Sequence, residues 1–134
     1  MSDSSTPGAL RTWFIVHFVI DMAIAVPLFI FPGVFLGVLG WNTIDPLVSR
    51  IVAAALFGIG IESFLCRNAG IVTFRNMLNL KIIWSGTAVL GTIISILLSP
   101  SVPSIAAWTI LFTFLIFNIV WIYWRDRINR IIRK

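Results

Sequence analysis

Cysteine is all but missing from this 134-residue chain, and so are histidine and tyrosine, each present once. The single Cys66 can close no internal disulfide and makes no CxxC redox pair, which excludes a four-helix thiol oxidoreductase built on paired cysteines. One histidine, His17, cannot ligate a haem from both faces within one chain, and one His with one distant Cys is a poor start for a metal site. The sequence has no HExxH, no Ser–His–Asp order and no Gly-rich phosphate loop. No catalytic residue, cofactor or metal is therefore assigned. Charge is scarce as well, at 11% of residues against roughly a quarter in soluble domains. Alternating strands of about ten residues, the mark of a membrane barrel, are not seen either.

What remains is apolar. Hydrophobic residues make up 59% of the chain, and they gather in four runs at about 11–31, 47–66, 78–98 and 103–124. Runs of about 20 residues cross a hydrocarbon core of about 30 Å as helices. The expected fold is all-α, a transmembrane four-helix up-down bundle over 11–124. A disordered tail over 1–10 precedes it, and a basic juxtamembrane tail over 125–134 follows. The first run is too long for a signal-peptide core and reads as a retained signal-anchor. The chain leaves room for one bundle and no appended soluble domain.

Charge placement orients the bundle. Of ten Lys/Arg residues, Arg11, Arg67, Arg75, Lys81, Arg125, Arg127, Arg130, Arg133 and Lys134 fall on one side of the runs, and Arg50 alone on the other. Cytoplasmic loops are enriched in Lys and Arg, so both termini are expected in the cytoplasm of a multi-pass protein of the cell (plasma or inner) membrane. Arg50 can snorkel to the outer interface or pair with Asp45. The net charge of +5 lies mainly at the C-terminal end. It points to anionic inner-leaflet lipid at Arg125, Arg127, Arg130, Arg133 and Lys134 rather than to nucleic acid. There Ile128, Ile131 and Ile132 share a face with Trp124, while Arg127, Arg130 and Arg133 point elsewhere. The plainer reading of this end is a stop-transfer anchor.

Between the runs, Pro27 near the end of the first helix would kink or terminate it. The Gly-rich apolar stretch 31–41 is too short to span and is expected in the outer interface, with Trp41 at headgroup level. Asn42–Pro46 reads as a turn, 71–77 as a short basic connection, and 99–103 as a tight outer turn.

Ionisable residues inside lipid are costly and so carry information. Asp21 falls at the middle of the first helix, where an Asp costs about 2.5–3.5 kcal/mol. Roughly a dozen Phe, Ile, Val and Leu neighbours, at about 0.3–0.6 kcal/mol each, outweigh that. The helix inserts, with Asp21 expected to face protein. His17 lies one turn earlier on the same face. The two form either a proton-accepting pair or an interhelical clasp. Glu62 and Lys81 lie at similar depth and could pair across the second and third helices, or could line one polar cavity with His17 and Asp21. Asn118 in the fourth helix reads as interhelical glue. Small residues recur at Ala54, Gly58 and Glu62 and at Thr87, Gly91 and Ser95, stripes expected to pack against neighbouring helices and to turn Glu62 toward protein.

The strings Arg50-Ile-Val-Ala-Ala-Ala-Leu-Phe-Gly-Ile-Gly-Ile-Glu-Ser63 and Leu80-Lys-Ile-Ile-Trp-Ser85 resemble segments of small, functionally uncharacterised four-helix membrane proteins of prokaryotes. The resemblance covers the second and third helices, about a third of the chain. It suggests Arg50, Glu62, Lys81 and Trp84 as hallmarks and supplies no activity. Three functions stay open. One is binding or transport of a small molecule or lipid, with His17, Asp21, Glu62, Lys81, Trp84 and Asn118 as candidate ligand- or proton-binding residues. A transporter of this size would be expected to act as a homodimer. Binding or transport is favoured narrowly over a non-catalytic assembly subunit of a membrane complex, with a partner membrane protein. Third is an enzyme acting on a lipid or isoprenoid headgroup, with His17, Asp21 or Glu62 as acid or base, which no motif supports.

Overall fold

A computed structural model describes residues 6–98 and 104–133. All regular structure among these residues is helical: α1 (Gly8–Ile30), α2 (Pro32–Val38), α3 (Pro46–Leu65), α4 (Ile71–Leu98) and α5 (Ser104–Ile132). A 3₁₀ turn, Cys66–Asn68, follows α3. Four stretches are long and apolar enough to cross a membrane, Gly8–Ile30, Pro46–Asn68, Ile71–Leu98 and Ile105–Ile132. The turn expected at 99–103, Lys134 and residues 1–5 lie outside the described residues.

The chain forms two compact units, one of Pro7–Asn68 and one consisting mainly of Ala69–Lys134. In the first, α1 and α3 run antiparallel. Arg11 donates from Nη1 to Asn68 Oδ1 at one end (3.4 Å), and Arg50 donates from Nε to the Phe29 carbonyl at the other (3.2 Å). Phe18 meets Phe64 and Phe29 meets Phe57 between those ends, with ring centroids 4.8 and 5.9 Å apart. In the second unit, α4 and α5 pair antiparallel through Asn118, Lys81 and Trp121. Each hairpin therefore gathers its basic termini at one end: Arg11 with Arg67, and Arg75 with the arginines that follow Trp124.

Local chemistry sets the helix ends. Asp45 caps α3, accepting from the amides of Leu47 (2.8 Å) and Val48 (3.1 Å), with Pro46 at the first turn. The Asp45 carboxylate is thus spent on the cap, and Arg50 bonds the Phe29 carbonyl in place of the alternative ion pair with Asp45. Pro27 does not end α1, which continues to Ile30. The 31–41 stretch contains a short helix, closed by Gly40 at φ 93°. There Trp41 N–H reaches the Leu36 carbonyl and Gly40 N–H the Gly37 carbonyl, both at 3.0 Å, a Schellman turn that needs a left-handed residue.

Three boundaries differ from expectation. α1 starts at Gly8, inside the supposed tail, because Leu10 is fully buried and draws the first turn into the unit. The 71–77 segment is no connection but the first two turns of α4. Phe74, Met77, Leu78, Lys81 and Ser85 recur at helical spacing and all are buried. Likewise α5 runs through 125–132 rather than stopping at Trp124, since Trp121, Trp124 and Ile128 continue one buried face (0%, 5% and 0% exposed).

Candidate functional site

Three of the candidate residues, His17, Asp21 and Glu62, belong to the first unit, and three, Lys81, Trp84 and Asn118, to the second. Each set has its own geometry.

In the first unit His17 Nδ1 and Asp21 Oδ2 approach to 2.9 Å, and both side chains are buried. The contact joins residues four apart on the same helix and so needs no side chain of another helix. An intrahelical pair of this kind lowers the cost of inserting α1 but does not by itself hold α1 to α3. At this level α1 meets α3 at Gly60. A Cβ placed there would lie 2.7 Å from Asp21 Cβ, 2.9 Å from Met22 Cε and 3.1 Å from Asp21 Oδ2. Asp21 can face α3 only because position 60 has no side chain.

Glu62 does not share this environment. It is exposed, and its Oε1 accepts from the Cys66 thiol at 2.8 Å. Ala54 and Gly58 are exposed with it, and nothing stands within 4 Å of a Cβ built on Gly58. The buried face of α3 is instead Ser49, Ala53, Leu56, Gly60 and Ser63. The expectation that the Ala54–Gly58 stripe would pack inward and carry Glu62 with it is therefore corrected. Two equally small stripes wind around this helix, and the one containing Gly60 takes the interior because it admits Asp21. The α4 stripe of Thr87, Gly91 and Ser95 is exposed too, against the same expectation. Their hydroxyls turn back on their own helix, Thr87 to the Ile83 and Trp84 carbonyls and Ser95 to the Gly91 carbonyl, at 2.9 Å each.

The second unit holds a buried lysine. Lys81 is 1% exposed, and its Nζ lies 5.0 Å from the centroid of the Trp121 ring, itself fully buried. One turn on, Ser85 Oγ donates to the Lys81 carbonyl at 2.6 Å and accepts from Asn118 Nδ2 at 2.9 Å. Asn118 Nδ2 also donates to the Ile82 carbonyl at 2.9 Å. The Asn118 amide thus ties α5 to both backbone and side chain of α4. Trp84 is half-buried.

Sequence reasoning did not single out Gly60 or Ser85. Spacing alone could have found Ser85, four residues after Lys81 on the same face; nothing marked Gly60 over Gly58. A shallow depression on α1, lined by Ala9, Thr12, Trp13 and Val16, includes none of the candidates. Among the described residues no group of three or more His, Cys, Asp and Glu side chains is placed to hold a metal ion. Compared with known protein families, with curated proteins and with solved structures, the chain matches none.

Proposed function

We propose that this chain is a non-catalytic assembly component of a membrane. In this reading its four spanning helices form an up-down bundle of the cell membrane with both termini in the cytoplasm. They associate with further membrane helices, the simplest partner being a second copy. The observation that carries the proposal is the division of labour on α3. Gly60 is filled by Asp21 from within, whereas Ala54 and Gly58 are exposed and open. In lipid, helices associate where small residues let backbones approach, because apolar side chains gain nothing by leaving the hydrocarbon for one another. The inward polar groups serve architecture: His17 and Asp21 offset each other's insertion cost, and Asn118 links α5 to α4. The charge bias between the two ends of the spanning helices favours one orientation in the bilayer, as does the collection of basic residues at one end of each hairpin. The resemblance of the 50–63 and 80–85 strings to uncharacterised prokaryotic four-helix membrane proteins fits this reading.

The second reading keeps the buried His17–Asp21 pair as the seat of small-molecule, lipid or proton binding, since an acid and a base in contact at the middle of a spanning helix suit proton exchange. Native mass spectrometry of protein released from lipid nanodiscs separates the two. The assembly reading expects a fixed oligomer or a stoichiometric partner, lost in Gly58→Ile and kept in Asp21→Asn. A bound small molecule present in the wild type and absent from Asp21→Asn would overturn it in favour of the second.

A further inference from the structure

The end of the α4–α5 hairpin that carries Arg75 and Arg125 is a helical platform. At about 1.5 Å per residue, the 28 residues of α4 and 29 of α5 extend roughly 42–44 Å, longer than a hydrocarbon core of about 30 Å. The surplus on α5 follows Trp121, Tyr123 and Trp124, the residue types of a membrane interface. It stays helical because Phe74 and Ile128 are fully buried.

The arginines of this platform are not equivalent. Arg127 donates to the Tyr123 hydroxyl at 3.0 Å, and its guanidinium carbon lies 5.5 Å from the centroid of the Trp124 ring. Arg130 pairs with Asp126 at 2.6 Å. Arg75 and Arg125 are both exposed and have no hydrogen bond or ion pair among the described residues. They also share a flank. Lys81 and Trp121 face each other across the hairpin, and the turns leading to Phe74 and Trp124 continue those faces. Stepping one residue beyond Phe74 on α4 and one beyond Trp124 on α5 rotates the chain by about 100° on each helix. Because the helices are antiparallel, both steps lead to the same side of the pair. Measured from the Lys81–Trp121 level, Arg75 is displaced by six residues and Arg125 by four, a difference in height of about 3 Å. With helix axes about 8–10 Å apart, the two guanidinium groups can converge on neighbouring headgroups.

We propose that Arg75 and Arg125 form a two-armed site for the phosphate of anionic phospholipid headgroups at the membrane surface. The site rests on the reading that α4 and α5 span the bilayer and is independent of how the protein assembles. Guanidinium forks match phosphate oxygens with two parallel hydrogen bonds each, and the interface between headgroup and acyl chain strengthens such contacts over bulk water. Arg127 and Arg130, already engaged within α5, contribute field rather than contact.

The test uses the full chain in neutral detergent micelles, titrated with phosphatidylglycerol or with phosphatidylcholine of the same acyl chains and read by native mass spectrometry. The wild type is expected to retain phosphatidylglycerol at least tenfold better than phosphatidylcholine. That preference should fall at least fivefold in Arg75→Gln/Arg125→Gln and persist in Arg127→Gln/Arg130→Gln, which removes the same formal charge. Raising the ionic strength should weaken retention of phosphatidylglycerol alone. Equal retention of the two lipids by the wild type overturns the site, and so does equal loss in the two double variants, which would reduce the effect to net charge. Helical content by circular dichroism confirms that each variant is folded.

Discussion

At the scale of single residues, Gly58 and Gly60 stand two positions apart and do opposite things. A methyl at position 60 would strike Asp21 and Met22, whereas one at position 58 would meet nothing within 4 Å. Gly60→Ala is expected to destabilise the first hairpin by about 1–3 kcal/mol, the usual range for overpacking. Gly58→Ala should stay within about 0.5 kcal/mol in a dispersed monomer. Unfolding in mixed micelles of graded SDS content measures both. Asp21→Asn keeps the shape that Gly60 accommodates, and intramembrane hydrogen bonds average about 0.6 kcal/mol, so a change below about 1 kcal/mol is expected by the same titration. Asp21→Leu adds bulk against Gly60 and should cost more, about 1–3 kcal/mol. The sequence displayed both small-residue stripes of α3 but not their phase. In a soluble protein the apolar face tells a helix which way to turn. In a membrane the lipid-facing side is as apolar as the interior, so composition leaves Ala54–Gly58 and Ala53–Gly60 indistinguishable. Only the partner side chain, Asp21, decides.

At the scale of elements, the four apolar runs were legible because length and hydropathy suffice to mark a spanning helix. Where those helices end was not. α4 begins at Ile71 and α5 reaches Ile132. In both extensions the helix carries polar residues on one face and keeps an apolar face, Phe74 with Met77 and Leu78 on α4, Trp124 with Ile128 on α5. A criterion of uniform apolarity stops at the first arginine, while the helical period runs on. If 125–132 were a loose tail, truncating Ile128 would do nothing. Since it is fully buried, Ile128→Ala should lower stability by about 2 kcal/mol or more in the SDS titration. Asn118 was legible as interhelical glue, being an amide in the middle of a spanning run; its partners, the Ile82 carbonyl and Ser85, were not. Asn118→Leu removes both bonds at similar volume and is expected to cost about 0.6–1.7 kcal/mol.

At the scale of the whole molecule, inward polar groups such as Asn118 join helix to helix, and the proposed association uses the open face of α3. The ionisable groups that the sequence put at similar depth, as two pairs or as the lining of one cavity, divide by environment: His17, Asp21 and Lys81 are buried and Glu62 is exposed beside Cys66. Depth along a helix can be counted from a sequence, but direction around it needs the neighbours, and that is why depth alone made the four look alike. The most direct test of the central claim is disulfide cross-linking in native membranes, with Cys66→Ser as background and single cysteines placed on the two faces of α3. Ala54→Cys and Gly58→Cys are predicted to give a dimer on mild oxidation, and Ala53→Cys and Leu56→Cys to stay monomeric. Cross-links confined to Ala53→Cys and Leu56→Cys, or a chain that remains monomeric at all four positions, would contradict the assignment of the open face of α3 to a second copy.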